Sequence, residues 1–187
     1  VKILDLGLAR IDIAERRYDQ ARERLSGLLA TNSQNTQARL MLALLEESTG
    51  DFSAAISHYR AVLEFSTANV LALNNLAYLL ATSGNAIDEA LTYAQKAKEL
   101  SPNDPVTDDT LGWIFYRKGL YRRAVEHLET AAKHSSTVPK YHLAMAYLKN
   151  GDSKRGKQML SAALKEDPNL PEAKAAQEVL REHESAR

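Results

Sequence analysis

The side chains that could do chemistry are few, and their spacing does not gather them. Five histidines, His58, His127, His134, His142 and His183, are the only imidazoles in the chain. No two stand in the His-Glu-x-x-His arrangement that sets two zinc ligands on one helical turn. Cysteine is absent, which removes disulfides, thiolate metal sites and sulfur nucleophiles. Gly151-Asp152-Ser153-Lys154 ends like a phosphate loop but lacks the glycines whose backbone would cradle a phosphate. Asp108-Asp109 could attract a cation; near a helix start the same pair would favour the helix dipole. Tyr141 and His142 could share a surface with Asp109, yet nothing beside them marks a nucleophile. No catalytic residue, metal site or cofactor is expected, so binding by surface is the chemistry left.

Composition narrows what that surface could bind. Lys and Arg number 24, Asp and Glu also 24, and the formal net charge is zero. Nothing in that balance attracts nucleic acid or an anionic membrane. With 44% hydrophobic against 26% charged residues, the chain can fill a core rather than stay disordered. The charge is unevenly placed: 36–104 carries 4 basic and 8 acidic residues, and 117–165 carries 11 and 3. Two readings fit, a set of solvated helix faces or a basic surface that steers an acidic partner. No apolar run approaches the roughly 18 residues that span a bilayer, so no direct membrane insertion is expected. The start, Val1-Lys2-Ile3-Leu4, reads as the beginning of an excised fragment. A chain without cysteine suits either redox compartment.

The elements that would position such a surface recur along the sequence. A small residue opens a helical stripe at Ala21, Ala55, Ala90, Ala124 and Gly156, at spacings of 34, 35, 34 and 32. Upstream of each is a large residue followed by a small one: Leu8-Ala9, Leu42-Ala43, Leu76-Ala77, Leu111-Gly112 and Leu143-Ala144. Phe115 and Tyr147 fill an aromatic position, Ala97, Ala131 and Ala163 a later small one, and Pro102 and Pro168 close their segments. Small residues in facing helices allow close approach while Leu and Tyr interdigitate around them. Gly50-Asp51, Gly84-Asn85, Gly119 and Gly151-Asp152 sit where the chain must reverse. Pro102, Pro105, Pro139, Pro168 and Pro171 fall between segments or at helix starts.

In period and in these positions the chain resembles the tetratricopeptide-repeat family over about nine-tenths of its length. The first segment matches least, with Ser33 in place of the proline and no aromatic in its first helix. The resemblance implies an all-α fold, a right-handed superhelical solenoid of stacked antiparallel helix hairpins. Repeats are expected at about 2–35, 36–69, 70–104, 105–136 and 137–170, with a capping helix at about 171–184, all in a single array. Helices are expected near 2–15, 18–31, 36–48, 52–65, 70–82, 87–100, 105–118, 121–134, 137–149, 153–166 and 171–184.

The family's groove-facing places then fall on named residues. They are Leu40, Met41 and Leu44; Asn74, Asn75 and Tyr78; Asp109, Thr110, Trp113 and Arg117; and Tyr141, His142, Met145 and Lys149, with Tyr116 close by. Aromatic rings with Arg are frequent binding anchors, and Asn amides can both donate to and accept from a peptide backbone. Two readings stay open for several of them. Trp113 and Tyr141 either face the groove or pack between neighbouring helices; Asn75, Asp109 and Arg117 either recognise a ligand or belong to a solvated face. The family's carboxylate clamp is not matched, because Leu40, Leu44, Val106 and Thr110 stand where its polar residues are wanted. Nor is an asparagine ladder, because the sixth places read Met41, Asn75, Thr110 and His142.

The run Leu73-Asn74-Asn75-Leu76-Ala77-Tyr78-Leu79-Leu80-Ala81, with Asp109-Thr110-Leu111-Gly112-Trp113 later, is similar to bacterial repeat proteins of envelope and exopolysaccharide-export systems, including PEP-CTERM-associated repeat lipoproteins. That similarity implies a periplasmic or envelope-associated scaffold; without it the expectation is a cytoplasmic one. The expected function is a protein-interaction scaffold that holds a peptide or helical segment of a partner in its concave groove, within a bacterial multiprotein assembly. The alternative is a self-assembly module that stacks into a homo-oligomer through its ends or convex face. Changing Trp113 and Arg117 together to Ala is expected to weaken partner capture and leave the helices intact.

Overall fold

Asparagine and aspartate cap five of the helix starts. Asn35, Asp51, Asn69, Asp104 and Asp152 each stand one residue before a helix. Their side chains accept hydrogen bonds from the backbone N–H of Ala38, Ala54, Ala72, Val106 and Arg155 respectively. Each such cap satisfies a donor that the helix leaves open and contributes about 1 kcal/mol. In the computed structural model, residues 2–83, 86–133, 137–169 and 173–185 are described, apart from the side chains of 2–4 and 182–185. The expected turn at Gly84-Asn85, Pro171 and the imidazoles of His134 and His183 lie outside the described residues.

Eleven helices occur among the described residues: α1 (Lys2–Ala14), α2 (Tyr18–Thr31), α3 (Thr36–Thr49), α4 (Phe52–Phe65), α5 (Val70–Thr82), α6 (Ile87–Leu100), α7 (Pro105–Arg117), α8 (Tyr121–Ala132), α9 (Thr137–Lys149), α10 (Ser153–Glu166) and α11 (Ala173–Ser185). They fall where the sequence places them, to within two residues at each end. Gly50, Gly119 and Gly151 close hairpins in the left-handed region, at φ 86°, 74° and 91°. Arg16 does the same at φ 60°, a conformation that costs an L-residue about 1 kcal/mol and that glycine takes freely. The fold is an all-α solenoid of stacked antiparallel helix pairs. It divides into two compact units, 1–86 and 87–187.

In the first unit α1 packs on α2 and α3 on α4, with α5 against α4. The expected small residues Ala9, Ala21, Ala43, Ala55 and Ala77 are all fully buried. One core cluster joins Ala9, Leu25, Leu28, Ala38 and Leu42, with Leu6, Leu29 and Met41 packed against it. Two carboxylates absent from the sequence reading lock these helices. Asp12 is buried on α1 and takes hydrogen bonds from Arg17 Nη2 at 2.7 Å and Arg24 Nε at 2.7 Å. The Arg17 bonds, then those of Arg24, hold its carboxyl below the usual carboxylate range. Glu46 of α3 receives Arg22 of α2 through Nε and Nη2, both at 2.9 Å.

The second unit runs from α6 to α11. Gly112 on α7 lets α8 approach closely, and Gly156 on α10 does the same against α9. Asp108, buried on α7, accepts from Lys98 Nζ of α6 at 2.7 Å and sits 2.9 Å from His127 Nδ1 of α8. Tyr147 of α9 donates to Glu129 of α8 at 2.6 Å, and burial first, then that carboxylate, pushes its hydroxyl up to about 12. The last helix lays Ala173 and Ala176 on Tyr141, Ala144, Leu148 and Leu160. It keeps Lys174, Gln177, Glu178 and Arg181 exposed. No described helix is long and apolar enough to cross a membrane.

Candidate partner-binding site

The expected groove residues of the first unit lie on α3 and α5. Leu44 is 42% exposed, while Leu40 and Met41 are half-buried. On α5 the two amides part company. Asn74 is buried; its Nδ2 donates to Asn75 Oδ1 at 3.4 Å, and its Oδ1 accepts no hydrogen bond from the described residues. Asn75 is half-buried and donates through Nδ2 to the Tyr59 hydroxyl at 3.0 Å. Tyr59 in turn donates to Glu47 Oε2 at 2.8 Å. Burial raises the Tyr59 hydroxyl far above its ordinary value, so it remains a donor throughout the neutral range. Nothing in the residue pattern announces this relay, because its members come from α3, α4 and α5 with no fixed spacing. Tyr59→Phe takes a partner from the half-buried Asn75 amide and Glu47 carboxylate and is expected to cost about 1–3 kcal/mol. Urea unfolding of the variant checks it, and an unchanged midpoint would mean that the relay contributes nothing.

In the second unit the residues converge more tightly. Trp113 of α7 is stacked on both sides: by Tyr116 at 4.6 Å and 7°, and by His142 of α9 at 4.1 Å and 19°. Tyr141 leans on it at 6.3 Å and 48°. His142 Nδ1 lies 2.9 Å from Asp109 Oδ1. Asp109 and Trp113, one turn apart on α7, therefore hold the same imidazole from two sides. The Trp113 indole N–H is buried and finds no acceptor among the described residues. Tyr116 is half-buried, and that burial raises its hydroxyl above the ordinary value. Arg117 and Lys149 are exposed in the last turns of their helices.

Burial sorts the expected residues. Asn74, Thr110, Tyr141 and His142 are all buried, so they brace the face from behind. Tyr141 belongs to the core cluster, with Trp113 and Met145 packed against that cluster from the partly exposed side. The adjacent acids Asp108 and Asp109 do not converge on one point: Asp108 pairs with Lys98 and His127, and Asp109 with His142. No three His, Cys, Asp or Glu side chains gather as a metal site among the described residues.

Family models described as tetratricopeptide repeat match residues 6–70 and 115–180, together more than half of the chain. The chain belongs to the tetratricopeptide-repeat family. It is similar to a tetratricopeptide-repeat-containing protein of Pseudomonas aeruginosa, with 35% identity over 89 residues, 48% of this chain and 15% of that protein. It is also similar to cellulose synthase 1 operon protein C of Komagataeibacter xylinus, with 38% identity over 84 residues, 45% of this chain and 6% of that protein. The chain thus spans only a small part of the length of these relatives. Among solved structures, PilW, a type IV pilus biogenesis factor, superposes with a TM-score of 0.79 at 17% identity, over 100% of this chain and 91% of that one. That likeness is one of fold.

The repeat register exposes a pattern in the tetratricopeptide hairpins that single residues do not. The position just after the small residue of the first helix is Arg10 in the first hairpin; in the next four it is Leu44 and Tyr78 in the first unit, and Trp113 and Met145 in the second. All four are large and apolar or aromatic. None is fully buried, although the small residue before each one is. Each unit thus presents a column of partly exposed apolar side chains on its first helices.

Proposed function

We propose that this chain is a protein-interaction scaffold whose first-helix faces bind a peptide or helical segment of a partner. The two columns, Leu44 with Tyr78 in the first unit and Trp113 with Met145 in the second, carry the reading. A fold free to bury its apolar residues gains roughly 25 cal/mol for every Å² removed from water. Here the same repeat position stays partly open four times. Beside it stand the half-buried Leu40, Met41, Asn75 and Tyr116, with Asp109 and the exposed Arg117 supplying opposite charges. Apolar anchors with a polar rim are what a partner segment needs.

The setting we propose is a bacterial multiprotein assembly at the envelope. The similarity to a cellulose synthase operon protein supports it, as does the run from Leu73 to Ala81. The 187 residues would act as one array of five repeats with a terminal helix. Partner identity and place in the cell belong to the longer proteins of which this chain resembles a part.

Selection of binding peptides from a random library, with the whole chain as bait, tests the site. Leu44→Ser with Tyr78→Ala in one variant, and Tyr116→Ala with Arg117→Ala in another, should weaken the selected peptides about tenfold or more while far-ultraviolet circular dichroism stays unchanged. Folded variants that bind those peptides as tightly as the parent would reject the first-helix faces. Light scattering over a wide concentration range addresses stacking into homo-oligomers, and a mass that stays monomeric counts against it.

A further inference from the structure

The second unit gathers its positive charge at one end of its hairpins. α7 and α9 run parallel, because Asp109 near the start of α7 meets His142 near the start of α9, and Trp113 stacks on the same ring. α8 and α10 run back along them, which brings the α7–α8 and α9–α10 turns to the same end. Residues 117–123 supply Arg117, Lys118, Arg122 and Arg123, and residues 149–155 supply Lys149, Lys154 and Arg155. Asp152 is the only acid in either segment.

Some of this charge is answered. Lys118 pairs with Asp88, and Arg155 with Asp152 and, at 3.4 Å, with Glu129. Arg122 reaches Glu126 only at 3.6 Å while 89% of its side chain stays exposed, a contact worth little. Arg117, Arg123, Lys149 and Lys154 are exposed and form no ion pair among the described residues.

Two of the guanidiniums are held alike in successive hairpins. Arg123 lies 4.0 Å over the Phe115 ring and Arg155 4.4 Å over the Tyr147 ring. Phe115 and Tyr147 occupy the same repeat position, and both rings are buried. Stacking on a ring fixes the plane of an exposed guanidinium and reduces the entropy lost when it binds a carboxylate.

We propose that this end of the second unit docks an acidic peptide segment whose carboxylates reach successive hairpins. Neighbouring packed helices stand about 8–10 Å apart. A polyproline-II segment repeats a side chain on one side every three residues, about 9 Å, so an acid at every third place meets the spacing. Nucleic acid fits less well. The rings of Phe115 and Tyr147 lie buried beneath the protein's own arginines, the half-buried Tyr116 and Tyr121 lean on each other at 5.7 Å, and Asp88, Glu126, Glu129 and Asp152 interrupt the positive surface that a continuous phosphodiester would follow.

Fluorescence anisotropy with the whole chain provides the test. The probe is a short labelled peptide with Glu at every third position and Pro and Ala between. It should bind at low salt and weaken as salt rises. The variant Lys149→Glu/Lys154→Glu should lose about tenfold or more in affinity, whereas Lys133→Glu/Lys165→Glu, the same charge change at the opposite helix ends, should bind nearly as the parent does. Circular dichroism confirms that both remain helical, and neither touches the first-helix apolar column, so failure here is separable from failure there. No binding at low salt, or equal losses in both variants, overturns the proposal. So does tighter binding of single-stranded oligothymidylate that Lys149→Glu/Lys154→Glu abolishes, which would give the surface to nucleic acid.

Discussion

Gly112→Val should destabilise the second unit by about 3 kcal/mol or more in urea unfolding, among the largest losses any single substitution in α7 could cause. A Cβ at Gly112 would lie 2.6 Å from Leu128 Cγ and 3.2 Å from the Ala124 carbonyl oxygen. Leu128 is fully buried, and the Cγ it presents is a branch point rather than a mobile tip. The leucine occupies the volume that a methyl group at position 112 would need. Gly156 is placed alike, with a Cβ 2.6 Å from Leu148 Cγ and 3.1 Å from the Ala144 carbonyl oxygen. Gly27 gives the contrast. It also lies within a helix, but nothing stands within 4 Å of the place a Cβ would take. Gly27→Ala is therefore expected to stabilise by roughly 0.5–1 kcal/mol through helix propensity alone. Equal midpoints for Gly112→Val and the parent would mean that α7 and α8 can separate without loss, against the packing described.

The framework was legible because each of its determinants is local or periodic. Asn35, Asp51, Asn69, Asp104 and Asp152 cap helices within three residues of themselves, and the small residues recur at a period that identical hairpins require. What the sequence hid are pairs between helices. Arg22 reaches Glu46 from 24 residues away, and His127 reaches Asp108 from 19. The repeat framework leaves such positions free, so no spacing announces them. Tyr59 shows the cost of that freedom. Its place in α4 reads as an ordinary buried aromatic, yet its hydroxyl connects the half-buried Asn75 of α5 to Glu47 of α3. The groove assignment was harder for a related reason. Neighbours from the next hairpin decide whether a first-helix residue faces solvent or core, as His142 does for Trp113.

Trp113 brings these two lines together, and its removal is the second large effect expected. Trp113→Ala should cost about 2–4 kcal/mol, somewhat below a fully buried tryptophan because the side chain is only partly covered. Both ring faces are occupied, by Tyr116 and by His142, so its loss strips the packing from α9 as well as from α7. This alters the expectation from sequence that Trp113 and Arg117 could be changed together without harm to the fold. Arg117 is exposed and its replacement alone should stay within about 0.5 kcal/mol. A binding loss in the double variant would therefore mix lost contacts with lost structure. A double-mutant cycle on Trp113→Ala and His142→Ala isolates the stack, which should couple the two by about 1 kcal/mol. Trp113 is the only tryptophan in the chain, so its emission follows unfolding in the parent, with circular dichroism as the common signal across the cycle. A stability change below about 0.5 kcal/mol in Trp113→Ala would mean that neither stacked face persists in solution, and Trp113 would then stand open to a partner as a surface ring.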